Sequence, residues 1–217
     1  MTGDRDDVAC SFAAAAVGIT AATLHEAAGK VGALPSAIRP IRAGMRVVGP
    51  AFPVRGLSGN NLCLHRAIYA ASRGDVLVAD VGAAPESLEH GHWGEVMAVA
   101  ALRRGIAGLV ITGGVRDCDQ LAALGFPTFA PAVCLVGTRK DSDGAGVIGE
   151  PVRVGAVDVT CGDLVLGDAD GVVVIPAAQA MAALQRARER EADERLIFER
   201  LAAGESTLEI YQLATGE

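Results

Sequence analysis

Two short segments of this 217-residue chain carry residue types that do chemistry. The first is Gly113-Gly114-Val115-Arg116-Asp117. Paired glycines let a backbone turn sharply and come close to a ligand. The Arg116 guanidinium offers a planar fork suited to a carboxylate, and Asp117 offers a hard oxygen to a divalent cation. The second segment is His92-Trp93-Gly94-Glu95-Val96-Met97. A glycine followed by an acid at a helix start puts free backbone N–H groups beside a carboxylate. Those amides could hold an anion while Glu95 orders metal-bound water. Each segment also has a plain structural reading. Asp117 could cap a helix, Arg116 could make a surface ion pair, and Glu95 could simply complement a helix dipole.

Other candidates carry less. His90 and His92 lie two apart, without the further ligands that zinc requires. Asp168-Ala169-Asp170-Gly171 begins like a calcium loop but lacks the remaining ligands, and a hairpin turn explains it better. Cys118 follows Asp117, whose charge disfavours a thiolate. No GxGxxG, P-loop or GxSxG pattern occurs. Five cysteines without a CxxC pair read as free thiols.

These segments need elements to hold them. Gly74-Asp75 turns into Val76–Val81, an apolar run typical of a buried strand, and Gly108–Thr112 reads as the next. Gly113-Gly114 closes the second strand, so Arg116 and Asp117 fall where open α/β sheets bind ligands. Asn60–Ser72 reads as a helix with Leu62, Ala67 and Ile68 buried, and Gly94–Arg104 as another, ended by Gly105. Asp117 or Asp119 opens a short helix that reaches Leu124-Gly125. This alternation implies parallel pairing.

Upstream, residues 1–10 are expected to be flexible, and helix is expected from about Ser11 to Lys30, with Thr20 as a candidate cap. Leu34–Pro40 reads as a linker or extended arm. Met45–Val54 reads as a strand whose prolines point to an edge or a bulge. Downstream, Val152–Ile175 reads as β-hairpins, with turns at Cys161-Gly162-Asp163 and Asp168–Gly171. Pro176 starts a long charged helix running to about Ala203. No repeat or low-complexity linker divides the chain, so one domain spanning 1–217 is expected.

Composition narrows the partners. A 51% hydrophobic share with 4% aromatics gives a core of small and β-branched side chains. The net charge of -7, with no basic stripe, argues against nucleic acid. Val8–Leu24 follows acidic residues and is mostly Ala, Gly and Ser, which fits neither a signal peptide nor a membrane span. A cytoplasmic location is expected.

Taken together, Gly94-Glu95 and Gly105-x-x-Gly108-Leu-Val-Ile-x-Gly113-Gly-Val-Arg116-Asp117 resemble the family of 4-hydroxy-4-methyl-2-oxoglutarate aldolases and RraA-like proteins. Gly49-Pro50-Ala51, Asn60-Asn61-Leu62, Gly74–Val78, Gly162–Val165 and Asp168–Pro176 fit the same resemblance, which runs from about Thr20 to Tyr211. It implies an α/β, three-layer, swivelling-domain-like fold with parallel and antiparallel strands and a long C-terminal helix. It also implies a homotrimer or homohexamer with sites between subunits, residues 176–205 packing at the interface.

By position, Asp117 would bind Mg²⁺ directly, with Mn²⁺ as a substitute, and Glu95 would hold metal-bound water. Arg116 would bind the substrate, and the backbone of Gly94, Glu95, Val96 and Met97 would cradle the carboxylate of a small 2-oxo acid. Glu191 or Glu194 of a neighbouring subunit would complete the site through water. The implied activity is a lyase that breaks a carbon–carbon bond through a pyruvate enolate, as an aldolase, an oxaloacetate decarboxylase or both.

The alternative is a non-enzymatic RraA-like regulator of a protein partner. The ribonuclease-inhibiting branch generally lacks the metal-binding aspartate, so Asp117 favours an enzyme. A methyltransferase is disfavoured by the missing glycine-rich nucleotide loop. Two departures from the family pattern stand out. Thr112 occupies a position where many members carry an acid, and Glu95 is one methylene longer than the aspartate of some aldolases.

Overall fold

The structure is a computed structural model, and it describes residues 3–82, 85–142 and 146–213. Two helices open the chain, α1 (Gly3–Ala15) and α2 (Ala21–Ala27). A short strand β1 (Arg39–Pro40) follows, then β2 (Val47–Arg55), α3 (Leu62–Ala70) and β3 (Val76–Asp80). After a 3-10 turn at Glu86–Glu89 come α4 (Glu95–Arg103), β4 (Gly108–Ile111), β5 (Gly114–Val115) and α5 (Cys118–Ala123). The second half is mostly strand: β6 (Thr128–Ala130), β7 (Ala132–Val133), β8 (Val147–Ile148), β9 (Val152–Val154), β10 (Val157–Val159), β11 (Leu164–Asp168) and β12 (Gly171–Ile175). Helices α6 (Ala177–Ala202) and α7 (Thr207–Ile210) close it.

One sheet organises the molecule, in the order β1-β6-β4-β3-β2-β11-β12, with β8 also beside β2. The middle is parallel, β2 to β3 to β4 to β6, as strand–helix alternation requires. The flanks are antiparallel: β1 with β6, and β11 with both β2 and β12. The fold is therefore α/β, with parallel and antiparallel strands and a long C-terminal helix.

Both faces of the sheet are covered, which is why its central strands read as unbroken apolar runs. In β3, Leu77 and Ala79 point into a core shared with α3, α4 and α5, including Leu64, Ile68, Trp93 and Leu121. Val76 and Val78 alternate to the opposite face, against Val110, Phe129 and the β9–β10 hairpin. A third core joins α1 and α2 to α6 over β11 and β12. On α6 the buried residues are Ala180, Ala183, Leu184 and Ala187, a one-face helical spacing.

Three expectations need correction. Helix begins at Gly3, well before Ser11, and α1 and α2 are separate helices, the second capped by Thr20. Of the segment expected to be flexible, Met1 and Thr2 lie outside the described residues. Strand β2 is central rather than an edge. Its prolines are tolerated because the strand changes partners along its length. Val47–Pro50 pairs with β11, and the β3 ladder begins only at Ala51, so Pro50 precedes it and Pro53 lies past the end of the β11 ladder. Finally, Leu62 is half-buried, and Cys63 and Leu64 join Ala67 and Ile68 in the core.

Asp168 holds the β11–β12 turn, accepting from Asp170 N–H at 3.0 Å and from Ala21 N–H, the first residue of α2, at 2.7 Å. The hairpin reading of this loop therefore stands. Among the described residues, no helix is long and apolar enough to cross a membrane.

Candidate active site

Strands β2, β3 and β4 run parallel and end together at Arg55, Asp80 and Ile111, so the loops that follow them meet at one edge. Thr112 ties two of those ends. Its hydroxyl donates to Asp80 Oδ1 at 3.2 Å and accepts from Val81 N–H at 3.0 Å. An acid is thus present beside this position, but it comes from the neighbouring strand.

Past Gly113, β5 delivers Arg116 and Asp117. Asp117 is the N-terminal flanking residue of α5 with φ of 59°, and its side chain makes no bond to that helix. Instead Oδ2 accepts from Glu95 N–H, the first amide of α4, at 3.0 Å. Arg116 N–H donates to Trp93 O at 2.9 Å, and Arg116 Nε lies 3.8 Å from Asp117 Oδ2. The two chemically promising segments therefore interlock. Gly94 is required for space, since a Cβ there would sit 2.4 Å from Asp117 Oδ2 and 3.1 Å from Arg116 Cγ.

The simple capping reading of Asp117 fails, because its carboxylate serves a different helix. With the Glu95 amide taken, Val96 and Met97 carry the next amides of the first turn of α4. The Asp117 side chain is 39% exposed, so it stays open to a ligand.

Gly94, Val96, Met97, Arg116 and Asp117 border a pocket of about 160 Å³. Its other wall was not legible in the sequence: Asn61 at the start of α3, His65 one turn on, and Lys140. Lys140 arrives because Arg139 pairs with the loop before α3, its N–H donating to Gly59 O at 2.8 Å and its carbonyl accepting from Asn61 N–H at 3.1 Å. Asn61 Oδ1 and His65 Nε2 are buried with no hydrogen-bond partner among the described residues. Burial pushes the His65 imidazole below its ordinary pKa, and the Lys140 charge adds to the effect.

His92 also reaches this pocket, buried, its pKa lowered by burial against the opposing Gly114 carbonyl. Both its ring nitrogens face backbone groups, which leaves it unsuited to zinc. Burial also pushes the Cys118 thiol up, against the pull of Arg42, so Cys118 is no ready nucleophile.

The chain brings Glu95, Arg116, Asp117 and the Val96 and Met97 amides together. It does not bring Glu191 or Glu194 to them. Both lie on α6, where Glu191 accepts from the Thr23 hydroxyl at 2.7 Å and Glu194 pairs with Arg190 at 3.2 Å. Among the described residues no cluster of three or more His, Cys, Asp or Glu stands ready for a metal. One open carboxylate, with Glu95 next to it through its backbone N–H, still fits Mg²⁺, which keeps most of its waters and takes one or two protein oxygens.

The paired Arg116 and Asp117 thus lie past a parallel strand of an α/β sheet and face the first turn of α4. Residues 16–174 match the RraA-like family, described as Aldolase/RraA. A Halalkalibacterium halodurans protein provisionally named 4-hydroxy-4-methyl-2-oxoglutarate aldolase is 40% identical over 161 residues, 74% of each chain. Among solved structures, an uncharacterized protein from Pseudomonas syringae pv. tomato superposes with a TM-score of 0.76 at 28% identity, covering 92% of this chain and 91% of that one. Streptomyces coelicolor RraAS2, described as an unusual member of the RNase ES inhibitor RraA family, gives 0.71 at 27% identity, covering 88% and 98%. The chain belongs to the Aldolase/RraA family.

Proposed function

We propose that this protein is a divalent-metal-dependent lyase that cleaves a carbon–carbon bond in a small 2-oxo acid. The observation that carries this reading is the interlock of Asp117 and Arg116 with the N-terminus of α4 around one pocket. Relatives that bear the aldolase name support it.

The carboxylate of the 2-oxo acid binds the Val96 and Met97 amides and the Arg116 guanidinium. Asp117 would hold Mg²⁺ or Mn²⁺ directly, and Glu95 through water. The bound cation supplies Lewis-acid stabilisation of the charge that develops on the 2-oxo oxygen. In a retro-aldol step the 4-hydroxyl loses its proton, the bond between C3 and C4 breaks, and C4 becomes a carbonyl. The electron pair of the broken bond passes to the other fragment as a pyruvate enolate, which takes a proton at C3.

Arg116 offsets the negative charge of that fragment. Glu95, exposed at the first position of α4, orders the water that receives the hydroxyl proton. His65 and Lys140 face the distal end of the substrate. Oxaloacetate needs no base, since loss of CO₂ leaves the same enolate. A neighbouring subunit's α6, through Glu191 or Glu194, completes the site.

A rival reading is a regulator of a protein partner. It draws on the exposed apolar run Val133, Leu135 and Val136 beside the pocket, and on RraA proteins among the structural relatives. Turnover separates the two. Pyruvate release is measured from 4-hydroxy-4-methyl-2-oxoglutarate and from oxaloacetate, with Mg²⁺ or with EDTA, beside Asp117→Ala. Metal-dependent release that falls at least about 100-fold in the variant is expected. Folded, metal-loaded protein that releases no pyruvate from either compound would sink the lyase reading for both.

A further inference from the structure

One imidazole outside the chemical machinery bonds directly to two of the loops that frame the site and sits on a third. His92 is 0% exposed. Its backbone N–H donates to Gly114 O at 2.8 Å, and its carbonyl accepts from Asn61 Nδ2 at 3.0 Å. Around the ring, Nε2 lies 3.0 Å from Gly59 N, and Nδ1 lies 3.3 Å from Gly114 O. These partners assign the ring hydrogen. An amide can only donate, so Nε2 must be bare, and a carbonyl can only accept, so Nδ1 must carry the hydrogen. Only the neutral ring satisfies both contacts.

Three loops are joined in this way. Gly59 and Asn61 belong to the loop before α3, and the Gly59 carbonyl in turn takes the N–H of Arg139, next to Lys140. His92 itself precedes Gly94 and the amides of α4. Gly114 opens the strand that delivers Arg116 and Asp117. Small residues let the loops close on the ring: a Cβ at Gly113 would lie 2.9 Å from His92 Nδ1. The charged and titratable groups around the ring are His90, edge-on at 5.9 Å, and Arg116, Asp117, His65 and Lys140 across the pocket.

We propose that His92 is a positioning residue. As the neutral Nδ1–H tautomer it holds the loop of Asn61 and the N-terminus of α4 in register with Arg116–Asp117. The inference rests on the lyase reading for its kinetic test and on the geometry for its spectroscopic one. Protonation at Nε2 would set two donors face to face at Gly59, and the loop before α3 would come loose.

The test compares wild type with His92→Gln, whose amide oxygen can reach the place of Nε2, and with His92→Phe, which fills the space without a nitrogen. Pyruvate formation is followed from pH 5 to 8 on folded protein. His92→Phe is expected to lose about 100-fold in kcat/KM, mostly in kcat, as misplacement of a reacting geometry does. His92→Gln should recover at least about tenfold of that loss and lack the wild-type fall in rate at acid pH. A His92→Phe enzyme that melts earlier but keeps its kcat/KM would reduce His92 to a structural residue. Should His92→Phe not fold, His92→Gln decides alone, and a retained wild-type acid limb overturns the proposal.

If the wild type releases no pyruvate from either acid, the lyase reading falls and ¹⁵N NMR decides this one. The expected result is an Nδ1–H tautomer for His92, with amide shifts at Gly94–Val96 and at Arg116–Asp117 in His92→Gln. A different tautomer, or unmoved site amides, overturns it.

Discussion

Asp117 flanks the start of α5 at a φ of 59°, a left-handed conformation that aspartate tolerates because its short polar chain can bond locally. Asparagine shares that tolerance and the same shape, so Asp117→Asn isolates the charge. We expect it to fold with wild-type thermal stability, within about 3 °C, and to lose at least about 100-fold in kcat/KM. Gly94→Ala asks a steric question. The backbone at Gly94, φ of -160°, suits any residue, so the added methyl acts only through its contact with Asp117 and Arg116. A loss of about 100-fold in kcat/KM in a well-folded variant is expected, and an unchanged rate would mean the Asp117 position is not critical. The buried His92 ring also titrates. Its folded pKa is lowered, so its contribution to stability is complete above about pH 6.5, the unfolded value, and declines as pH falls toward the folded one.

Trp93 anchors the second segment at the level of elements. It is fully buried and stacks on Phe126, ring centres 5.6 Å apart, which ties the start of α4 to the turn after α5. Trp93→Ala should cost about 3–5 kcal/mol in denaturant unfolding. Trp93→Phe should cost less, since the indole N–H it removes has no partner among the described residues. The Thr112 clip between β3 and β4 is a second such link. Thr112→Val keeps the shape but leaves the Val81 amide without its acceptor and takes one donor from Asp80 Oδ1, which keeps the Gly82 N–H at 3.1 Å, for an expected loss of about 1–3 kcal/mol.

The chain exposes large apolar side chains, some next to its site and some on α6. Leu135 is 87% exposed and Val96 80%, and Leu196 and Phe198 project from the outer half of α6. Large apolar groups next to a charged pocket mark a surface that another chain covers. We propose that copies of this chain cover it, in a homotrimer or homohexamer whose sites lie between subunits. Light scattering should then show Leu135→Asp as a smaller species than wild type, with reduced pyruvate release. A wild type that is already monomeric would end this proposal.

Much of this was legible in local pattern. The apolar runs at 76–81 and 108–112 marked the buried strands, glycine and charge spacing marked α4 and α6, and Arg116–Asp117 after a strand marked the candidate site. These signals are short-range, because a strand's burial or a helix's face is written within a dozen residues. Tertiary structure alone decided the rest. β2 became central because β11, more than a hundred residues later, pairs with its first half before β3 takes up the second. Asn61, His65, His92 and Lys140 share a pocket wall because loops distant in sequence exchange hydrogen bonds there, and no local periodicity encodes such a meeting.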